Sequence, residues 1–305
     1  MMKILTEASG SLTSAYLIKS IQKAGHQAVA SDITRDCFGR YLANDFILMP
    51  KANDSNLWGE VEELLIKHKI DVVIPSFDEM LIGWAERKEY FRQKGVTVIC
   101  SEANTIRNFQ DKWLTYQFFL KHGIPTPETS LKQKFSLVKP RFGRGGKGIR
   151  ITRSVVSMEG SVSQEIVDGQ EYTVDVLCGS DSQPIYIVPR IRQGVVDGKS
   201  TGGIVVYKPE IIDWVERICR NTPFKGPINI QCFLGNDDIN FIEINPRIAG
   251  GMALGFAATE NWIPLLIDNF VYNKAITNVK PIQYGMMMRR YYAEVFIPPS
   301  ELGSG

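Results

Sequence analysis

Along residues 1 to about 100, short apolar runs alternate with segments whose apolar positions recur every three or four residues. Lys3-Ile-Leu-Thr6 predicts a strand that ends at Ser9-Gly10. Leu12, Ala15, Tyr16, Ile18 and Ile21 predict a helix, and Gly25 stops it. Gln27–Asp32 predicts a second strand, Leu57, Val61, Leu64 and Leu65 a second helix, and Asp71–Pro75 a third strand buried on both faces. Val96–Cys100 predicts a fourth strand. Such alternation implies a parallel sheet covered by helices, with ligands gathered at the carboxyl ends of its strands. Ser9-Gly10, Asp32 and Ser76-Phe-Asp78-Glu79 all fall at those ends.

The pattern changes after about residue 101. Asn108-Phe-Gln-Asp-Lys112 leads into a helix carrying Trp113, Phe118, Phe119 and Leu120, which Gly123-Ile-Pro-Thr-Pro127 stops. Leu137-Val-Lys139-Pro is strand-like, and so is Ile149-Arg-Ile-Thr152 beyond a glycine-rich loop. Tyr172 to Cys178 alternates as a strand. Asn229–Leu234 and Ile239–Asn245 predict a hairpin with a tight turn at Gly235-Asn-Asp-Asp238. Tyr284–Arg290 and Ala293–Ile297 read as final strands completing a sheet. The fold class expected is α/β: a small doubly wound parallel-sheet domain over residues 1–101, then a two-lobed α+β module over residues 102–305. Within it, 102–180 holds the glycine-rich flap and hinge, and 181–305 a second lobe.

Composition narrows the setting without naming a chemistry. A chain of 305 residues with 44% hydrophobic and 22% charged residues is an ordinary globular protein. A net charge of +2 provides no basic field for nucleic acid. No apolar run is long enough for a membrane span, and the start turns polar too soon for a signal peptide. Cys37, Cys100, Cys178, Cys219 and Cys232 form no CxxC pair, which argues against zinc or a redox dithiol. A cytoplasmic location is expected.

The hairpin carries the most specific chemistry. Side chains two apart on a strand share a face, so Glu243 and Asn245 point together and Gln231 joins them from the facing strand. Phe241, Ile242 and Ile244 otherwise predict burial there. Three hard oxygen donors with one charge suit Mg²⁺, which binds through few carboxylates plus substrate phosphates. Arg247, after Pro246, is placed to meet an anion. These residues equally suit the wet face of a hairpin.

The loop between the two central strands is the second constellation. Lys139, Arg141, Arg144 and Lys147 are interleaved with Gly143, Gly145, Gly146 and Gly148. Glycines let backbone N–H groups approach phosphate oxygens. The segment formally contains G-x-G-x-x-G, but a dinucleotide loop opens a helix and this one runs into a strand. No Gly-Lys-Ser/Thr of a Walker A loop is present. A dinucleotide role for the first module, with Asp32 on a ribose, also lacks support, because only Gly10 stands in its first turn. Arg190 and Arg192 share a strand face and suit either bidentate carboxylate recognition or a solvated basic face. A glycine-rich loop with Gly202 follows them.

Phe-Ile-Glu-Ile-Asn-Pro-Arg247 resembles the metal-binding strand of ATP-grasp enzymes, particularly those like the carbamoyl-phosphate synthase large subunit. Val-Ile-Pro-Ser-Phe-Asp-Glu looks like the strand end of the small domain preceding that module, and Gly-Ile-Pro-x-Pro like the family's segment after its first helix. The resemblance covers the chain to about Asn269. It implies ATP and one or two Mg²⁺ ions, with Mn²⁺ as a substitute, held by Gln231, Glu243 and Asn245. It implies a flap closing over the triphosphate, with Lys112, Lys139, Gly143, Gly145, Gly146 and Lys147 on phosphate. Gln164, Glu165, Ile166 and Val167 would read adenine through backbone, and Glu171 would bind ribose. Lys139, Lys147 and Arg247 are the catalytic candidates. Asp78, Glu79, Arg190, Arg192 and Gly202 are substrate candidates, with helix capping as the other role for Asp78 and Glu79, and a solvated helix position for Lys112. The implied reaction joins a small-molecule carboxylate to an amine through an acyl-phosphate. A phosphorylating enzyme making a stable product, and a nucleotide-binding subunit needing a partner, are the alternatives. The resemblance also admits a homodimer.

Overall fold

The computed structural model describes residues 1–11, 14–196, 199–235 and 238–299, with backbone alone at 195, 196 and 199. Leu12, the turn residues Asn236 and Asp237, and the chain's last six residues lie outside the described residues. The first unit runs β1 (Lys3–Thr6), α1 (Ser14–Lys23), β2 (Gln27–Asp32), α2 (Gly39–Leu42), β3 (Asp45–Leu48), α3 (Leu57–His68), β4 (Val72–Ile74), α4 (Asp78–Gln93) and β5 (Thr97–Val98). Its strands form one parallel sheet in the order β3-β2-β1-β4-β5. Hydrophobic periodicity predicts four of these strands. The edge strand β3 was not expected, because Asp-Phe-Ile-Leu is too short to show a period. The last predicted strand shrinks to Thr97–Val98.

Both faces of this sheet are buried, which is why its strands are nearly continuous apolar runs. Leu5, Val29 and Val73 pack under α3 and α4 with Trp84 and Phe91. Ile4, Ala28 and Val72 face the other way and join a cluster with Leu177, Tyr186, Val188, Trp262 and Leu266 from the second half of the chain. One continuous core therefore spans the parallel sheet and the lobe behind it. Each fully buried side chain of this size contributes about 1.5–3 kcal/mol.

Two helices follow, α5 (Ala103–Gln110) and α6 (Lys112–Lys121). They break at Asp111, whose side chain caps α6 by accepting from the Trp113 N–H at 2.8 Å. β6 (Thr129–Ser130), β7 (Leu137–Pro140), β8 (Arg150–Ile151) and β9 (Ser161–Gln164) make a small antiparallel sheet in the order β6-β9-β7-β8.

A larger sheet carries the rest: β10 (Gln170–Cys178), β11 (Pro184–Val196), β12 (Lys199–Val205), β13 (Gly226–Leu234), β14 (Ile239–Asn245) and β15 (Met287–Arg289). The order is β14-β13-β10-β11-β12-β15, antiparallel throughout. One face buries Val174, Val176, Ile228, Ile230, Phe241 and Ile244 against α7 (Pro209–Arg220) and the aromatic residues of α5 and α6. α7 starts at a proline and ends with Arg217 and Arg220, both favourable to a helix. Two short helices, α8 (Ala253–Ala258) and α9 (Trp262–Leu266), cap the sheet's other end before a π turn at Ile267–Val271. β15 occupies the edge expected of Tyr284–Arg290. The strand expected at Ala293–Ile297 does not form: β15 already takes the β12 edge, and Tyr291, Tyr292 and Phe296 are exposed.

Candidate active site

The polar face of the large sheet forms the floor of the site. Gln231 lies opposite Glu243, and Asn229 opposite Asn245. A register shift beside Gln231 pairs Cys232 with Phe241 and leaves Ile242 unpaired. This bulge lets Phe241 and Ile244, three apart, share the core while Glu243 and Asn245 share the other face. The turn closes through the Gly235 N–H donating to the Asp238 carbonyl at 2.8 Å. The Gln231 and Glu243 side chains make no hydrogen bond or ion pair to other described residues. A carboxylate without a donor beside two amide oxygens is a donor set that fits Mg²⁺.

Arg247 stands at the end of this strand with its fork spread over three partners. Nη2 donates to the Asn245 Oδ1 at 3.2 Å, Nη1 to the Ile248 carbonyl at 3.1 Å, and Nε to the Asp78 Oδ1 at 2.6 Å. Asp78 belongs to the parallel-sheet unit, so the two halves of the chain meet at this arginine.

The small sheet brings its lysine to the same floor. Lys139 on β7 is buried, and its Nζ donates to the Gln164 Oε1 at 2.7 Å. Burial, together with the nearby Lys112 charge and against the pull of Glu243, brings the Lys139 ammonium down to about 8. Between β7 and β8, Gly143, Gly145, Gly146 and Gly148 all have positive φ, the region where a side chain is strained. The glycines are thus required by the loop's shape. Lys112, at the first position of α6, donates to the Gly143 carbonyl at 2.9 Å and ties the loop to the helix. Arg141 pairs with Asp111, and Arg144 with Asp78 at 3.2 Å and Glu79 at 2.5 Å. Lys147 is exposed and makes no ion pair among the described residues.

Past β9, Glu165 and Ile166 are exposed and Val167 half-buried. The Glu165 N–H donates to the Glu128 carbonyl at 2.9 Å, whereas the Val167 N–H has no partner among the described residues. The Gln164 side chain is buried, with Nε2 donating to Thr129. Glu171, at the start of β10, pairs with Arg192 at 2.8 Å.

One pair of readings needs correction. Arg190 was read, with Arg192, either as facing a cleft to receive a carboxylate or as part of a solvated basic face. Instead Arg190 is 2% exposed and forks onto Asp175, with Nε at 2.7 Å and Nη2 at 3.1 Å. Asn229 donates to the same carboxylate at 2.7 Å. A Cβ on Gly251 would lie 2.5–2.7 Å from the guanidinium, so that backbone rests on it. Arg190 is a buried structural ion pair, held inside because Asp175 was drawn in beside it. The carboxylates of Asp78 and Glu79, the acidic substrate candidates, pair with Arg247 and Arg144. Gly202 lies at the β12–β15 edge, opposite Arg289, where a Cβ would stand a tight 3.0 Å from both the Arg289 guanidinium and the Met288 carbonyl oxygen.

Sequence reasoning missed Glu7. It is buried, accepts from the Trp84 Nε1 at 2.7 Å, and takes the Ser76 and Phe77 N–H groups at 3.0 and 3.2 Å. Burial raises its carboxyl to about 6. Its one signal was a charged residue directly after a buried strand. Asp175 had a clearer one, an acid inside the alternating Tyr-Thr-Val-Asp-Val.

Residues 109–251 match the ATP-grasp domain family, and residues 6–99 match the PylC-like N-terminal domain family. A carbamoyl-phosphate synthase of Methanobrevibacter smithii is 24% identical over 263 residues, covering 75% of this chain and 70% of its own. A tyramine–L-glutamate ligase of Methanocaldococcus jannaschii is 27% identical over 251 residues, covering 79% and 76%. The fold is similar to the N5-carboxyaminoimidazole synthetase of Staphylococcus aureus solved with ADP: TM-score 0.73, 17% identity, 95% of this chain and 82% of that one.

Proposed function

We propose that this chain, whose residues 109–251 match the ATP-grasp domain family and residues 6–99 the PylC-like N-terminal domain family, is an ATP-dependent carboxylate–amine ligase. One observation carries the reading. Glu243 and Gln231, without a hydrogen-bond or ion-pair partner among the described residues, face the same floor as Lys139 from β7 and Arg247 from the end of β14. That arrangement suits phosphoryl transfer, which needs positioning and charge neutralisation more than covalent help from the protein.

The family uses ATP with Mg²⁺. We assign Gln231, Glu243 and Asn245 as its ligands; bound there, the ion neutralises charge on the triphosphate. Lys139 and Lys147 meet phosphate oxygens, with Lys112 anchoring the flap between them. The Val167 N–H, without a partner among the described residues, supports the reading of Gln164–Val167 as the adenine segment, with Glu171 for ribose. Arg247 faces the transferred phosphoryl group. A substrate carboxylate oxygen attacks the γ-phosphorus, the bond to the β-bridging oxygen breaks, and ADP leaves. A neutral amine then attacks the acyl carbon and expels phosphate. We place the boundary between the N-terminal unit and the ATP-grasp module near residue 101, in the turn before α5.

The partners on this reading are a small-molecule acid and an amine. No helix among the described residues is long and apolar enough to cross a membrane. All five cysteines are free and buried, which supports a reducing cytoplasmic setting.

The test is ADP release with Mg-ATP across a panel of carboxylic acids, with hydroxylamine as generic nucleophile. Acid-dependent ADP with hydroxamate is the expected result. A stable phosphorylated product without hydroxamate would replace the ligase reading with a phosphorylating one. Binding of Mg-ATP without turnover would favour a partner-dependent subunit.

A further inference from the structure

The Asp78 carboxylate sits where the parallel-sheet unit, the flap and the metal strand come together. Its Oδ1 accepts from the Arg247 Nε at 2.6 Å and its Oδ2 from the Arg144 Nη1 at 3.2 Å. It is the one acid among the described residues paired to both the flap and the strand end. Burial pushes its carboxyl upward, but Arg247 and Arg144 outweigh this and hold it below the ordinary carboxylate range.

Three features hold Asp78 at that point. It is the first residue of α4, and Gln110 donates to its carbonyl at 2.7 Å. The turn before it is pinned by the buried Glu7, which takes both the Ser76 and Phe77 N–H groups. The Arg144 guanidinium also lies over the Phe77 ring, 4.8 Å from its centroid. A rigid carboxylate is thus presented to two arginines on separate elements. Arg144 reaches it from a loop of glycines that has little structure of its own to hold it down.

We propose that Asp78 is a positioning residue: it aims the Arg247 guanidinium at the reacting phosphoryl group and clasps the flap through Arg144. It acts through those arginines, each carboxylate oxygen accepting from one of them. Glu79 assists on the flap side alone, since among the described residues it pairs only with Arg144. The Arg247 part of this role rests on the ligase reading above; the clasp on the flap does not.

The test compares the full-length protein with Asp78→Asn and Glu79→Gln, without nucleotide and then with Mg-ATP. Amide hydrogen exchange over residues 141–149 reads the flap, and the Arg247 Nε–H nuclear magnetic resonance signal, assigned by its loss in Arg247→Lys, reads the arginine. Asp78→Asn should speed flap exchange by about fivefold or more without nucleotide, the equivalent of one lost charge-assisted contact. It should also erase or broaden the Arg247 Nε–H signal. Glu79→Gln should loosen the flap and leave that signal in place. In turnover, Asp78→Asn should lower kcat about tenfold or more while KM for ATP stays within about threefold, a split expected when transition-state contacts alone are lost. Unchanged flap exchange and an unchanged Arg247 signal in a folded Asp78→Asn protein would overturn the proposal. A thermal midpoint that falls while both readouts hold would mean a purely structural role, and would overturn it as well. If Mg-ATP fails to slow flap exchange in the unaltered protein, the ligase reading fails, and the nucleotide-free comparison still decides the clasp.

Discussion

Two sets of acids and amides in this molecule are treated in opposite ways. At the ends of the parallel strands, Glu7 accepts three hydrogen bonds and Asp78 is shared by two arginines. On the large sheet, Glu243 and Gln231 are left with no partner among the described residues, beside a lysine lowered by burial. A fully buried polar group left unpaired costs about 1–3 kcal/mol, so the enclosed Glu7 has to be satisfied, whereas Glu243 and Gln231 are half-buried. The comparison teaches that the fold pairs the acids it encloses, while the half-buried pair stays open to solvent or to a ligand.

The largest expected effect tests the unsatisfied set. Glu243→Gln keeps the shape and removes the charge, and ADP release with Mg-ATP should fall by about a hundredfold or more. Circular dichroism and the thermal midpoint should stay as they were. Full activity would return Glu243 to the role of a wet strand residue.

Removing a satisfied acid should show as stability. Asp175→Ala leaves the buried Arg190 charge without its partner, and urea denaturation should record a loss of about 3–5 kcal/mol. Asp175→Leu combined with Arg190→Met should recover most of it, because the two charges go together.

Glu7 sharpens the comparison through pH. Its carboxyl is raised from 4.5 to about 6 in the folded protein, so the folded state binds the proton more tightly. Its contribution is fully present below pH 4.5 and lost as pH rises through 6, about 2 kcal/mol in all. The difference in unfolding free energy between the unaltered protein and Glu7→Gln should follow that slope. A flat difference between pH 4 and 7 would contradict the burial argument.

The smallest effect sets the baseline. Arg220 pairs with Glu216 one helical turn away, both largely solvated. Arg220→Ala should change stability by less than about 0.5 kcal/mol.

Much of the fold was legible in the residues. The parallel sheet announced itself because a strand covered on both faces must be apolar throughout, as Val72–Ile74 is. The flap was legible because glycines crowded among cations have few structural uses. The hairpin was legible because strand alternation is a local property, and Glu243 and Asn245 share a face whatever surrounds them. The bulge at Ile242 was not legible, since it depends on how two strands settle against a core.

By itself the sequence determined which groups are available: two amides and a carboxylate on one face of a hairpin, lysines at the flap, and an arginine after the proline. Local periodicity and backbone preference act over a few residues, so these features needed no knowledge of the rest of the chain. Only the tertiary structure decided which charges are spent internally. Arg190 and Asp175 are 15 residues apart, Asp78 and Arg247 169 apart. Pairing at such distances depends on sheet order and on how two cores dock, so the same arginine pattern reads as a ligand site in one fold and as a buried ion pair in this one.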